Sequence, residues 1–304
     1  MNCIILVMGR LIDGKAISRK IQNQIRKEVD SFISTGKRKP GLATLLVGDN
    51  PASQSYIRSK IRSSEKAGFN SFHTSLPEKA SREEISEIID QWNKDANVDG
   101  ILVQLPLPQH LSDVTNEILL QIDPAKDVDG FHPVNIGNLV KGNPTFIPCT
   151  PRGIIEILKH EGIETAGKDV VVIGRSQIVG LPLAILFLLK GSFGNATVTV
   201  CHSRTQNLPE KTSRADILVA AIGKPHFVTE DMVKEGAIVI DVGVNRVEDS
   251  SKERGYRLVG DVDTEKVLGK VSAITPVPGG VGPMTITMLL LNTLEAYKKN
   301  ISNI

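Results

Sequence analysis

The feature that most constrains this fold is an alternation that runs from one end of the chain to the other. Short β-rich apolar runs at Ala43–Val47, Gly100–Leu105, Asp169–Ile173, Thr197–Cys201, Ile217–Ala221 and Ala237–Asp241 are separated by helical stretches. Those stretches fall at about Asp13–Thr35, Pro51–Ala67, Arg82–Asp95, Pro151–His160, Gly180–Leu189 and Pro283–Lys299. Several strand runs are continuously apolar, as strands covered on both faces of a parallel sheet are. The order predicts an α/β architecture with right-handed crossovers. The boundary is placed near Pro148-Cys149-Thr150-Pro151. A first lobe then spans 1–150 and is completed by the returning last helix, 283–304, and a dinucleotide-binding lobe of Rossmann type spans 151–282.

Charge and cysteine content narrow the function classes. Lys and Arg number 36 against 34 Asp and Glu, a formal charge of +2, which lacks the concentrated basic footprint of a nucleic-acid or anionic-membrane binder. Cys3, Cys149 and Cys201 are odd in number and far apart. That argues against a disulfide framework or a structural zinc site and fits a reducing, cytoplasmic compartment. The apolar run Cys3–Met8 is too short for a signal peptide and reads as a strand, or as a start drawn slightly upstream. Leu181–Leu189 is far shorter than the roughly 20 residues of a membrane span. The expectation is a soluble protein without a membrane partner.

The second lobe carries a nucleotide signal at its first strand end. After Asp169–Ile173 comes Gly174-Arg175-Ser176-Gln177-Ile178-Val179-Gly180. Gly174 suits the tight turn, Ser176 lets a backbone approach closely, and Gly180 starts a helix whose exposed amides would receive a pyrophosphate. The spacing departs from G-x-G-x-x-G, so the turn alone is equally an ordinary strand–helix connection. The next strand end, His202-Ser203-Arg204-Thr205, has no acid where an NAD site places one for the ribose hydroxyls. Ser203 and Arg204, assisted by Arg175, suit a 2′-phosphate through charge-assisted hydrogen bonds, which favours NADP.

In the first lobe, Gly48-Asp49-Asn50-Pro51 reads as strand end, N-cap and N1 proline of a helix that closes at Gly68. Tyr56 and Lys60 share one face of it, with Ile57 and Ile61 one step around for the core. A Tyr/Lys pair at this spacing is, by itself, more often an exposed packing pair than a catalytic one. Gln104 ends an apolar strand before Leu105-Pro106; it is either placed for a purpose or caps the strand. Lys126-Asp127-Val128-Asp129-Gly130 puts two acids in one turn, which Asx-turn chemistry alone would also explain.

Taken together, Tyr56-Ile57-Arg58-Ser59-Lys60, Val103-Gln104-Leu105-Pro106-Leu107-Pro108, Lys126-Asp127-Val128-Asp129-Gly130, Gly174-Arg175-Ser176 and Pro276-Val277-Pro278-Gly279-Gly280-Val281-Gly282-Pro283-Met284-Thr285 resemble the bifunctional methylenetetrahydrofolate dehydrogenase/cyclohydrolase family of the bacterial FolD type. The resemblance runs from about Leu11 to the last helix, and the Pro-Gly-Gly-Val-Gly-Pro-Met-Thr block is its most specific motif. It implies an enzyme that oxidises methylenetetrahydrofolate with NADP and then hydrolyses the methenyl product to 10-formyltetrahydrofolate, in the one-carbon metabolism that feeds purine biosynthesis. It also implies that Lys60 transfers protons, Tyr56 stacks on the folate, Gln104 tunes Lys60 and Asp129 grips the pterin. Val103, Leu105, Pro278, Gly279 and Gly280 would line the substrate region. Gly174, Arg175, Ser176, Ser203, Arg204 and Val244 would bind NADP; the family's fold implies two α/β lobes with a cleft between them and a homodimer formed through the nucleotide domains. The alternative is an NADP-dependent dehydrogenase with weak or absent cyclohydrolase activity.

These groups suit the chemistry. The oxidation needs the nicotinamide C4 held at near-attack distance from the methylene carbon. The hydrolysis needs an activated water and proton movement, which a lysine amine supplies when its surroundings favour the neutral form. Other chemistries find little support. Gly162 to Lys168 mimics a phosphate loop, but Asp169 stands where Ser or Thr belongs and the strand–loop–helix order is reversed. No HExxH or clustered metal spacing occurs, and no Gly-x-Ser-x-Gly elbow, so no metal is expected.

Overall fold

The structure, a computed structural model, describes residues 9–253 and 255–302. The run Cys3–Met8 lies outside the described residues. The described chain opens with strand β1 (Arg10–Leu11) and helix α1 (Gly14–Ser34). Asp13 caps that helix, its carboxylate accepting the Ala16 N–H at 2.9 Å. Ile17, Ile21, Ile25 and Val29 form its buried stripe at helical spacing.

There follow β2 (Gly41–Val47), α2 (Pro51–Lys66), β3 (Asn70–Leu76), α3 (Arg82–Lys94), β4 (Gly100–Val103), α4 (Thr115–Leu119) and α5 (Pro133–Val140). The strands form a parallel sheet in the order β3-β2-β4. Every residue of β2 is buried, which is why its sequence is continuously apolar. β3 reads Asn-Ser-Phe-His-Thr-Ser-Leu and carries no apolar run; it becomes a strand by pairing along β2 from Gly41↔Asn70 to Val47↔Leu76. α3 starts on a capping box, Ser81 with Glu84. Leu45, Val47, Ile85, Ile89, Ile101 and Val103 lie in this core.

The chain continues through α6 (Cys149–His160), β5 (Asp169–Ile173), α7 (Gly180–Leu188), β6 (Thr197–Cys201), α8 (Leu208–Thr212), β7 (Ile217–Ala220), β8 (Ile238–Asp241), a hairpin of β9 (Asn245–Glu248) and β10 (Tyr256–Val259), α9 (Thr264–Val267), β11 (Ala273–Ile274) and α10 (Val281–Ser302). A six-stranded parallel sheet has the order β1-β11-β8-β7-β5-β6. The phosphate-loop mimic at 162–168 is the end of α6 running into β5, with Gly162 and Gly167 at φ 66° and 72°.

The chain divides into two units: Arg19–Cys149 with residues 286–302, and residues 9–18 with Thr150–Thr285. The start of the chain therefore differs from a contiguous 1–150 lobe. β1 is an edge strand of the six-stranded sheet, in register Arg10↔Ala273 and Leu11↔Ile274. Two residues pairing across the length of the chain leave no local signature.

Candidate active site

In the three-stranded unit, local rules set the position of Lys60. The Asn50 side chain accepts the Ser53 N–H at 3.2 Å, Pro51 opens α2, and Gly68, at φ 85°, ends it. Ile57 is buried and holds the helix against the core, while Ile61 is only half-buried. Tyr56 is 49% exposed and Lys60 is half-buried. Lys60 Nζ donates to Gln104 Oε1 at 3.0 Å. Gln104 extends the ladder beyond β4 by donating its backbone N–H to Leu45 O at 2.9 Å, and its Nε2 donates to Leu105 O at 2.6 Å. The glutamine thus caps its own strand and leaves its oxygen for the lysine. Val103 is 3% exposed, so its side chain belongs to the core, and Leu105 is half-buried beside it.

The structure separates the two acids of the 126–130 turn. Asp127 is a scaffold group: its Oδ2 accepts the His132 N–H and Asn135 Nδ2, both at 2.8 Å. Asp129 makes no such turn. Burial pushes its carboxyl up, opposed by the Lys60 ammonium, with Asp127 adding to the rise and a hydrogen bond from Cys149 opposing it. Asn292 of α10 holds the backbone here, donating to Val128 O at 2.7 Å and Ile147 O at 3.0 Å. Lys60, Gln104 and Asp129 form one interacting set; Tyr56 lies one helical turn before Lys60.

In the six-stranded unit the chain reverses its direction of travel across the sheet between β5 and β7. Open α/β sheets bind ligands at such a switch point, beyond the carboxyl ends of the strands. Gly174 follows β5 at φ 125°, and a Cβ there would stand 2.2 Å from Ala221 O after β7. The helix start differs from expectation. Ser176 Oγ accepts the Val179 and Gly180 N–H groups at 3.2 and 3.5 Å, and Ser176 O accepts that of Leu181 at 3.1 Å. Pro182 has no N–H, so the first turn of α7 is already satisfied. Among the described residues, the amides without an acceptor lie upstream, at Arg175, Ser176, Gln177 and Ile178. These amides are open to an incoming acceptor.

Register Ile173↔Cys201 sets the two strand ends side by side. The turn after β6 is built by Thr205 Oγ1 accepting the His202 N–H at 2.8 Å and His202 Nδ1 accepting that of Arg204 at 3.2 Å. His202 is thereby a satisfied turn residue, and Ser203, Arg204 and Arg175 point their side chains outward. Val244, directly after Gly243, whose N–H donates to Asp241 Oδ1, is 43% exposed. The Pro278-Gly279-Gly280 loop is stitched to the head of α1: Lys15 N–H donates to Gly279 O at 3.1 Å, and a Cβ on Gly14 would sit 1.9 Å from Gly280 O.

Sequence reasoning missed Asp241 and Asp261, both fully buried at strand ends of this unit. Three backbone amides point at Asp241, yet burial outweighs them and pushes its carboxyl up to about 7, with Asp261 adding like-charge repulsion. An acid beside a glycine in an otherwise apolar run, as in Asp241-Val242-Gly243 and Gly260-Asp261-Val262, was the available signal.

Comparison with known proteins identifies the family. The tetrahydrofolate dehydrogenase/cyclohydrolase catalytic domain matches residues 12–129, and the NAD(P)-binding domain of the same family matches residues 148–301. A bifunctional protein FolD from Prosthecochloris aestuarii is 52% identical over 292 residues, covering 95% of this chain and 98% of that one. A bifunctional protein FolD from Streptococcus agalactiae is 54% identical over 295 residues, covering 97% and 100%. Among solved structures, the FolD methylenetetrahydrofolate dehydrogenase/cyclohydrolase of Campylobacter jejuni superposes with TM-score 0.88 at 48% identity, covering 95% of this chain and 98% of that one. The Trypanosoma brucei enzyme, solved with NADP and an inhibitor, gives TM-score 0.90 at 40% identity, covering 96% and 98%. The chain belongs to the tetrahydrofolate dehydrogenase/cyclohydrolase family.

Proposed function

We propose that this protein oxidises 5,10-methylenetetrahydrofolate with NADP and hydrolyses the resulting 5,10-methenyltetrahydrofolate to 10-formyltetrahydrofolate, with Lys60 as the proton-transfer group. The observation that carries this reading is the Lys60 Nζ···Gln104 Oε1 hydrogen bond of 3.0 Å, set within the field of Asp129. Gln104 is held by Leu105 O and so aims its acceptor at one point, which orients the amine. An oriented amine can take a proton from the attacking water and return one as the ring opens. Asp129 supplies a carboxyl for the pterin nitrogens, and Tyr56 offers an exposed ring on which a flat ligand stacks. Val103 and Leu105 contribute the wall behind Gln104, and Pro278, Gly279 and Gly280 are the substrate-lining candidates of the six-stranded unit.

The residues of that unit fit a phosphorylated dinucleotide. Gly174 allows the close approach, the free amides at Arg175–Ile178 suit the pyrophosphate, and Ser176 shapes that loop. Ser203, Arg204 and Arg175 suit the 2′-phosphate, and exposed Val244 offers an apolar contact. NADP when bound there supplies the hydride acceptor. The proposal extends to a cytoplasmic homodimer joined through the six-stranded unit. Its support is that β6 is an unpaired edge, and that Leu181 and Leu188, one heptad apart on α7, are 44% and 59% exposed.

The test is incubation with methylenetetrahydrofolate and NADP while NADPH and methenyl absorbance are followed together. NADPH production without lasting methenyl accumulation is expected. Persistent methenyl accumulation would leave only the dehydrogenase, and no NADPH would refute the whole reading.

A further inference from the structure

The sheet order assigns the dinucleotide a direction. β6 carries Ser203 and Arg204 at one edge, β5 carries the Gly174 turn beside it, and β7 and β8 follow. With strands about 4.8 Å apart, β6 to β8 spans about 14 Å. A cofactor with its 2′-phosphate over β6 and its pyrophosphate over β5 must therefore lay its nicotinamide end over the loops that follow β7 and β8. The first of those loops, Ile222-Gly223-Lys224, is held by a residue from neither strand, which also takes the side chain of Asn245 directly after the second, Val242-Gly243-Val244.

That residue is Asp261, which lies after β10 and is fully buried. Its Oδ2 accepts the N–H groups of Ile222 at 2.6 Å and Gly223 at 2.9 Å, and its Oδ1 accepts the Lys224 N–H and Asn245 Nδ2, each at 2.9 Å. Asp241, at the end of β8, in turn holds Asp261. Asp241 Oδ1 accepts the N–H groups of Gly243 at 3.0 Å and Asp261 at 2.9 Å, and its Oδ2 accepts that of Val262 at 3.0 Å. The packing has no slack. A Cβ on Gly243 would fall 2.2 Å from Asp261 Oδ1, and one on Gly260 would fall 1.7 Å from Asp241 Oδ2. Asp241 accepts two backbone amides from the segment that carries Asp261, and Asp261 accepts the side-chain amide of Asn245 beyond Asp241, so the two strand ends are tied to each other.

We propose that Asp261 is a positioning residue for hydride transfer, setting the loops after β7 and β8 that meet the nicotinamide end of NADP, with Asp241 holding it in place. Burying two carboxylates together is costly. Three consecutive amides converging on one acid fix loop shape to within the tolerance that near-attack geometry demands. The inference rests on the NADP reading above. It predicts a separation of functions within the molecule: the adenosine end of the cofactor and the Lys60 hydrolysis are independent of Asp261, and the nicotinamide end is not.

The experiment is Asp261→Asn, which keeps the volume but turns an amide N–H₂ toward donors that now lack an acceptor. Four quantities are compared with the unaltered protein: affinity for 2′,5′-ADP, which reports only the adenosine end; affinity for NADP; dehydrogenase kcat; and hydrolysis of methenyltetrahydrofolate without NADP. NADP affinity and dehydrogenase kcat should fall between about ten- and a hundred-fold, while 2′,5′-ADP affinity and hydrolysis stay within about two-fold. An equal fall in all four, or no change in the first pair, overturns the proposal. If Asp261→Asn does not fold, Asn245→Ala decides, since it removes one donor and leaves the backbone amides in place; the same split in milder form is expected, and an unchanged ratio of the two activities overturns the proposal. Failure of the unaltered protein to bind 2′,5′-ADP at all would refute the NADP reading, and this inference with it.

Discussion

Replacing Lys60 with methionine tests the proton-transfer role because the structure makes its cost to the fold small. The change keeps a linear side chain of similar length on α2 and removes one hydrogen bond, Nζ to Gln104 Oε1 at 3.0 Å. A bond to a charged group is worth about 1.5–3 kcal/mol when water is excluded. Lys60 and Gln104 are both half-buried, so water can reach the freed oxygen and about 1 kcal/mol is the better figure. For a unit of this size that lowers the melting temperature by about 2–4 °C. Losing a positioned acid–base group, in contrast, costs about 10²–10⁴ in rate, or about 3–5 kcal/mol in the barrier. The catalytic loss therefore exceeds the stability loss several-fold, and the two are separately measurable. Purified Lys60→Met protein should bind NADP with near-normal affinity and melt within a few degrees of the original. Its hydrolysis of methenyltetrahydrofolate, read as decay of methenyl absorbance, should fall by at least about a hundred-fold. Full hydrolytic activity in this variant would refute the role of Lys60. So would a loss of hydrolysis matched by an equal loss of folded protein.

Arg204→Ala should weaken NADP about ten-fold through loss of a charge-assisted contact at an exposed site and leave NAD nearly untouched; titrating both cofactors shows it, and equal weakening would remove the 2′-phosphate assignment. Asp99→Ala should cost about 3 kcal/mol in urea unfolding, because the buried carboxylate takes both Arg38 nitrogens at 2.7 Å and the Gly41 N–H and Asn300 Nδ2 at 2.8 Å. Asp241 gives the six-stranded unit a pH dependence. Its folded carboxyl holds a proton up to about pH 7, while the unfolded one releases it near 3.8. Folding therefore takes up a proton between those values, and the stabilisation, complete below the lower one, is lost at about 1.4 kcal/mol per pH unit until pH 7 is passed. Urea midpoints should fall from pH 5.5 to 7.5, and Asp241→Asn should flatten that slope.

The sequence disclosed those parts of the fold whose information is local. β5 has the predicted limits because a buried parallel strand reads as an apolar run, β6 because an edge strand alternates Thr and Val before a buried Cys201, and α2 begins and ends where Asn50, Pro51 and Gly68 say it must. β3 and β1 escaped notice because pairing partners, and not their own residues, make them strands. The same division holds at the site. Tyr56 and Lys60 are legible as one helix face, but the choice of Asp129 over Asp127 depends on which carboxylate is consumed by the turn. Ser176 shows the limit from the other side. Its small size was legible, but its Oγ also satisfies the start of α7, which leaves the unpartnered amides upstream at Arg175–Ile178. Asp241 and Asp261 are separated by the whole β9–β10 hairpin, and nothing along the chain announces that Asp241 accepts the Asp261 amide while Asp261 accepts the Asn245 side chain.

The pairing of β1 with β11 also governs how the molecule can be made. The first described strand waits for a partner that is synthesised some two hundred and sixty residues later, Arg10 against Ala273. During translation the far edge of the six-stranded sheet stays open until the chain is nearly complete. Contacts of such long range close slowly, and an open strand edge invites association in the meantime. The three-stranded unit meets the same delay, since Asn292 must arrive to take the carbonyls of Val128 and Ile147. A gene cut at codon 150 would thus yield two halves that each lack a segment the other encodes, and expression of either half alone should give insoluble protein where the two co-expressed could recover a fold.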